Sequence, residues 1–573
     1  MKRANTPLYE VREIKDLKEM LVQSTQLFGD KTAFLVKEKG NDDYQPISFK
    51  QFKNDVEALG TALMDLGLQG KRIALIGENR YEWAVSYLAV VNGVGTIVPL
   101  DKELPVQEIE HLVGVSEASV IIYSGKHRES INSINAALPG LTLRINMDED
   151  EGTDTSVSFH KLIEQGKQLL NQGNTSYIDR TIDPDEMRIL LFTSGTTALA
   201  KGVMLSHKNI CTNLMEMCKM IYIGEKDVFL SVLPIHHAYE CTCGFLCQIY
   251  RGSTIAYCEG LRHIVKNLKE AKVTVMLGVP LIFEAMYKKV WKQAEKSGMD
   301  NKLRIAIKAS YLLKSVGIDI SKKIFKNIHN ALGGHLRLFI SGAAGIDPMI
   351  AKGFRDIGFS LVQGYGLTEC SPIVAVNRDC CYKDDAAGLP LAEMEVKIDN
   401  PNEEGIGEII CKGNNVMLGY FQNEDDTAKV IRDGWFHTGD LGFIDQEGFV
   451  PITGRQKNVI VTKNGKDIFP EEVETYLNRS DYVAESLVWG KYDEESGETY
   501  VNGQILPNFE AIEEELGKDY IEQQVRALIE EEVKKVNHKM PLYKRMTDFT
   551  IRKEDFAKTT TKKIKRYLEH PEG

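Results

Sequence analysis

The sequence predicts an α/β protein: a large N-terminal domain of helix-covered, mostly parallel sheets with a β-rich subdomain, then a small α+β C-terminal domain. Three observations lead there. Short apolar runs alternate with amphipathic helical patterns up to about residue 385, the signature of parallel sheets covered by helices. After about residue 385 the chain turns to short strands and glycine turns. From about Arg455 a segment with its own strands and an acidic helix closes the chain.

The elements follow in order. An amphipathic helix is predicted over Phe49 to Leu66, a strand over Arg72–Gly77, a helix over Tyr81–Asn92, and strands over Thr96–Leu100 and 118–124. "MDEDEGTDTS" (147–156) reads as an acidic surface loop. Strands resume at "RILLF", "VFLSVL", "TIAYC", "VTVMLG" and "LRLFISG", with helical patterns at 261–271 and 280–297 between them. "EVKID", "GEIICKG" and "GWFHTGDLGFIDQEGFVPITG" make the β-rich subdomain, about 385–454. The last part, 455–573, holds the strands "ESLVWG" and "TYVNGQILP" and a helix over 517–537. The domains are therefore placed at 1–454 and 455–573.

Composition narrows the class. The chain has 573 residues, 43% of them apolar, as in an ordinary soluble globular protein. A net charge of −12 argues against sequence-general nucleic acid binding, which needs a basic surface. "MKRANTPLYEVREIKDLKEM" lacks the apolar core of a secretory signal. "AVSYLAVVNGVGTIVPL" (84–100), broken by Asn92, two glycines and Pro99, reads as a buried helix and strand rather than a membrane span. A cytoplasmic location is expected, with peripheral contact at the inner membrane face left open. All ten cysteines lie between Cys211 and Cys411 without an even framework and read as reduced thiols. Cys241, Cys243 and Cys247 follow His236 and His237, but not at a usual zinc spacing, and "CTCGFLCQIY" reads as a buried helix.

"LFTSGTTALAKGVMLSHKN" (191–209) carries chemistry. It breaks the Walker template, because Gly202 follows Lys201 instead of preceding it. Thr193, Ser194, Thr196 and Thr197 still offer four hydroxyls beside consecutive N–H groups, and Gly195 lets the backbone curve around an anion. Taken alone, the stretch could equally be a solvated turn. "QGYGLTECSP" (363–372) adds Tyr365, Thr368 and Glu369; "GWFHTGDLG" (434–442) adds Asp440; "TGRQKNVIVTKNGKDIFPEEVE" (453–474) and "KTTTKKIKR" (558–566) follow.

In this order the motifs resemble the adenylate-forming superfamily of acyl-CoA synthetases, luciferases and peptide-synthetase adenylation domains, from about residue 30 to residue 568. The resemblance implies a two-step reaction. A carboxylate attacks the α-phosphate of ATP to give acyl-adenylate and pyrophosphate; a thiol then displaces AMP. It implies that Thr193, Ser194, Gly195, Thr196, Thr197 and Lys201 hold the β- and γ-phosphates, that Tyr365 stacks on adenine beside Gly366, and that Gly342, Ala343 and Ala344 line the adenine and acyl sites. Thr368 would donate to the α-phosphate, Glu369 would ligate Mg²⁺, and Asp440 would take the ribose hydroxyls beside Arg455. Lys563 matches the lysine bridging carboxylate and α-phosphate, Lys457 the hinge of a mobile C-terminal domain, and Gly465 a glycine beside the pantetheine thiol of coenzyme A. Three departures stand out: Ala198 and Ala200 replace the usual glycine and proline, and Lys562 replaces the glycine before the catalytic lysine. "LPIHHAYE" (233–240) is similar to the L-P-x-x-H-x-x-E segment of long-chain fatty acyl-CoA synthetases, with His237 near the carboxylate and Glu240 at the glutamate. The partners implied are thus a fatty acid, ATP and coenzyme A, with a carrier-protein thiol, or a non-catalytic nucleotide or acyl binder, as the alternatives.

Overall fold

A computed structural model describes residues 6–37, 40–134, 138, 140–153, 155–193, 200–315, 317–463, 466–559 and 562–569. The chain divides into two compact units, one of Met1–Gly195, Leu199–Glu395 and Lys412–Phe436, the other of Val396–Cys411 and His437–Gly573.

The first unit holds two large sheets. One has eight strands in the order Val157–Ser158, Leu143–Asn146, Val120–Tyr123, Arg72–Ile76, Thr96–Leu100, Met187–Thr193, Lys201–Ser206 and Gly419–Tyr420. All but the last two pairings are parallel. The other has nine, from Leu389–Pro390 at one edge to Gln45–Ser48 at the opposite edge. Its middle runs Ser360–Gly366, Leu338–Ser341, Val275–Gly278, Val228–Ser231, Thr254–Tyr257 and Thr32–Val36, all parallel. Helices cover these strands, so residues facing either way are buried and the strands read as unbroken apolar runs. Ile73, Ala74, Leu75 and Ile76 are each fully buried.

Caps and glycines fix the helices. Ser48 Oγ accepts from the Gln51 N–H and starts Phe49–Asp65. Ser206 and Asn209 form a reciprocal capping box at the head of His207–Met220. Phe49–Asp65 crosses Phe159–Asn171 where Gly166 lies against Ala58; a methyl there would run into the Ala58 carbonyl. The helix expected over Tyr81–Asn92 instead ends at Ala89 and continues as a π-helical turn, Val90–Val94, where Gly93 faces the buried Tyr177 ring. The cysteine-rich run is likewise a π-helix, Tyr239–Leu246, leading into the α-helix Cys247–Arg251. The acidic stretch at 147–156 is not wholly a surface loop. Glu149 is buried, pairs with Arg128 at 2.5 Å and accepts from Ser156 Oγ at 2.5 Å.

In the second unit, Val483–Asp493, Glu498–Pro507 and Met546–Ile551 form a three-stranded sheet. The helix Glu522–His538 buries Val525, Ile529, Val533 and Val536, a helical stripe, onto its core. Among the described residues, no helix is long and apolar enough to cross a membrane.

Candidate active site

In the first unit, the strands Met187–Thr193 and Lys201–Ser206 pair so that Thr193 faces Lys201. Ser194, Gly195, Thr196, Thr197 and Ala198, which complete the expected phosphate loop, lie outside the described residues. Ala200 packs against the apolar cluster of this sheet. The Lys201 ammonium pairs with Asp426 at 2.7 Å and sits 4.9 Å from the centre of the Tyr420 ring. Lys201, with Lys429, holds the Asp426 carboxyl below the usual range. The Tyr420 hydroxyl donates to Glu369 Oε1 at 2.9 Å, and burial together with that carboxylate raises its pKa. Lys201 and Glu369, far apart in sequence, are thus tied through one tyrosine.

Glu369 lies on the short 3₁₀ turn Thr368–Cys370, directly after the strand that carries Tyr365 and Gly366. Its backbone oxygen accepts from Met417 N at 2.7 Å. Tyr365 is buried, and Gly366 passes so close to the Pro372 carbonyl that no side chain fits. Gly342, Ala343 and Ala344 follow the strand Leu338–Ser341. A Cβ on Gly342 would stand 2.5 Å from the Tyr239 ring, so the missing side chain lets that ring seat there. Ala343 adopts φ +68°, a left-handed turn costly for a residue with a Cβ.

His237 and Glu240 sit at the head of the π-helix. The turn before it is pinned by Asn79, which donates to Ser231 Oγ (2.9 Å) and the Leu233 carbonyl (2.7 Å) and accepts from Ile235 N (3.1 Å). Glu240 is fully buried and accepts from Ser231 Oγ at 2.6 Å, while its Oε2 has no partner. Burial pushes its carboxyl up to about 8, against the Ser231 and Leu233 hydrogen bonds. Farther along, an apolar cavity of about 40 Å³ lies among Met217, Cys218, Cys243, Cys247, Leu277 and Ile340, with Tyr239 and Gly364 also in its wall.

The second unit gathers three of the expected residues. Asp440 and Arg455 face each other on the antiparallel strands Trp435–Gly442 and Ile452–Arg455 and form an ion pair at 2.7 Å. Asp440 is 5% exposed. Its N–H donates to Thr438 Oγ1, and Arg455 Nη1 reaches the Thr438 carbonyl at 3.4 Å. Lys563 lies within electrostatic reach of both. Its side chain is exposed to solvent. Desolvation by neighbouring protein, then the Arg455 guanidinium, lowers its pKa from the ordinary lysine value, with Asp440 acting the other way. Lys562, before it, adopts φ +64°. Lys457 is exposed on the 3₁₀ turn Gln456–Asn458, and Gly465 lies outside the described residues.

Sequence reading passed over Tyr420, Asp426 and the cavity wall. A tyrosine after glycine in "MLGYFQNEDD" is too common to stand out; only the pairing of Gly419–Tyr420 with Val203 and Met204 brings it to Lys201.

The AMP-binding enzyme family matches residues 21–421. Long-chain-fatty-acid–CoA ligase 5 of Mus musculus is 30% identical over 504 residues, which cover 82% of this chain and 72% of that one. Long-chain-fatty-acid–CoA ligase 1 of Cavia porcellus is 29% identical over 512 residues, covering 83% and 71%. Among solved structures, the anthranilate CoA ligase AuaEII with anthranoyl-AMP superposes with a TM-score of 0.76 at 20% identity, over 99% of this chain and 98% of that one. ATP-bound MatB from Rhodopseudomonas palustris gives 0.75 at 23% identity, over 97% and 98%. These two share the fold. Fold, family match and sequence relatives agree: the chain belongs to the AMP-binding enzyme family and is an adenylate-forming protein.

Proposed function

We propose that this protein is an ATP-dependent fatty acid–CoA ligase acting on long-chain acids. The acid's carboxylate attacks the α-phosphate of ATP, forming acyl-adenylate and releasing pyrophosphate. The coenzyme A thiol then attacks the acyl carbon, and AMP leaves.

The first half-reaction brings two anions together. At about 4 Å and an effective dielectric near 20, unit charges interact by about 4 kcal/mol, so catalysis depends on fixed cations and donors. Lys563 would supply one between carboxylate and α-phosphate, and Lys201 another at the outer phosphates, with Thr193, Ser194, Gly195, Thr196 and Thr197. Thr368 would donate to the α-phosphate. Asp440, held by Arg455, presents a carboxylate suited to ribose hydroxyls. Tyr365, Gly366, Gly342, Ala343 and Ala344 would enclose adenine and the acyl carbon. Glu369, with one oxygen taken by Tyr420, keeps a hard carboxylate oxygen that fits Mg²⁺, an ion that would neutralise phosphate charge. His237 would meet the substrate carboxylate, Lys457 would serve as the hinge, and Gly465 would border the thiol's path.

The observation that favours an apolar acid is the cavity beside Tyr239, walled by sulfur-bearing and branched side chains; at about 40 Å³ it speaks to the polarity of the acid, and the long-chain reading rests on the relatives. Each buried CH₂ stabilises a complex by about 0.8 kcal/mol, so an apolar pocket favours an alkyl chain over a charged side group. The names of the relatives point the same way. A panel of acids from acetate to oleate, with ATP, Mg²⁺ and coenzyme A, scored by AMP and pyrophosphate release, tests this. The expected result is turnover rising with chain length. Pyrophosphate release that needs acid but continues without thioester from coenzyme A would point to a carrier-protein acceptor. No acid-dependent release with any member would overturn the ligase reading.

A further inference from the structure

Outside the nucleotide-facing residues, a second constellation stands at the mouth of the turn that presents His237. Asp101 follows the strand Thr96–Leu100 of one large sheet; His236 and His237 follow Val228–Ser231 of the other. Adjacent residues usually point apart. Here a tight turn, closed by the His237 N–H to the Pro234 carbonyl at 3.1 Å, brings the two rings to 4.3 Å between centres. One ligating atom from each of Asp101, His236 and His237 lies within 4.8 Å of the others. His236 is 8% exposed, and its Nε2 is buried without a hydrogen bond, 3.6 Å from Asp101 Oδ2. Asp101 Oδ1 already accepts from Glu103 N at 2.9 Å, which turns Oδ2 toward the histidine. Asn79 fixes the turn from behind through its three hydrogen bonds.

A buried imidazole nitrogen without a partner is costly unless something else meets it. Two imidazoles and a carboxylate are the donor set of three-ligand zinc sites, with metal–ligand distances of about 2.0–2.2 Å. Ligand atoms at that radius stand roughly 3–3.5 Å apart, near the 3.6 Å separation of Nε2 and Oδ2. The fourth position would take water. Lys102 is a nearby cation, but its ammonium is 3.7 Å from the Glu103 carboxylate, which offsets it.

We propose that Asp101, His236 and His237 bind a divalent transition-metal ion of the zinc class, and that the bound ion restrains the enzyme by occupying His237. Metal capture stands apart from the ligase assignment; only the restraint on turnover rests on it.

The test titrates Zn²⁺ into full-length chelator-treated protein, against a chromophoric zinc indicator. Cys380 and Cys381 are exposed thiols, so the background is Cys380→Ser/Cys381→Ser. The expected result is one Zn²⁺ per chain. His236→Gln and Asp101→Asn, each shown by circular dichroism to fold, should each weaken binding at least about tenfold, as loss of even an outer-shell partner does. Uptake equal in parent and both variants, or uptake lost with the two cysteines, would overturn the site. Acid-dependent pyrophosphate release, run without coenzyme A because its thiol would compete for zinc, should fall with Zn²⁺ in the parent and hold in His236→Gln. Equal inhibition of both would overturn the restraint while leaving the ligase reading intact.

Discussion

Lys562 shows how one residue can depart from a family pattern and still keep its geometry. It stands where the resemblance expects glycine, and it takes the left-handed φ of +64° that glycine adopts freely. A lysine there carries a backbone cost of about 1–2 kcal/mol, yet it leaves Lys563 beside Asp440 and Arg455. Two buried groups make a pH prediction. Glu240 is raised to about 8, so the native state holds a proton that the unfolded chain loses above about 4.5; stability falls as pH climbs through that window. His207 is pushed by burial down to about 4, with Nδ1 accepting from Leu17 N and Nε2 on the Val91 carbonyl. Its contribution is complete above the usual histidine value and is lost as pH falls toward 4. The two slopes oppose each other in mildly acid solution, and of this pair only the Glu240 slope persists near neutrality. Glu240→Gln should therefore remove a loss of about 1.4 kcal/mol per pH unit between roughly pH 6.5 and 8, read from urea midpoints, and keep the acid-side loss.

Helix crossings impose a different constraint. Gly166 lets Phe159–Asn171 lie directly on Phe49–Asp65, backbone against backbone at Ala58. Gly166→Ala would have to part the two helices, costing about 1–3 kcal/mol despite alanine's better helix propensity; a lowered thermal midpoint is the expected measurement. The same scale explains what a reader of the sequence can see. Strands such as Arg72–Ile76 and Val275–Gly278 are legible because burial on both faces makes them uninterrupted apolar words between polar turns. Helices such as Asp300–Ser315 escaped notice because polar residues break up their apolar stripe. The π-helical turns escaped because they answer to partners distant in sequence, Tyr177 in one case. At the site, ordered motifs point to Tyr365, Glu369, Asp440 and Lys563. The Lys201–Tyr420–Glu369 connection does not show, since strand register between residues about two hundred positions apart creates it.

The whole molecule divides its expected equipment between two units. The first holds Lys201, Tyr365, Glu369, His237 and the apolar cavity; the second holds Asp440, Arg455 and Lys563. A residue needed for one half-reaction can then be dispensable for the other. Lys563→Ala should lower acid-dependent pyrophosphate release by at least about a hundredfold, the range of a lost charge-stabilising donor. Thioester formation from preformed acyl-adenylate and coenzyme A should stay within a few-fold of the parent. Equal loss in both assays would mean that the lysine is structural.

The rims of the two large sheets carry a last consequence. Val157–Ser158, Gly419–Tyr420 and Leu389–Pro390 are two residues long, Gln45–Ser48 is four, and prolines at 46 and 390 remove donors from two of the four margins. A second copy arriving during synthesis or at high concentration finds almost no open ladder to extend. Crowding therefore gives these four margins little to which a further strand could add.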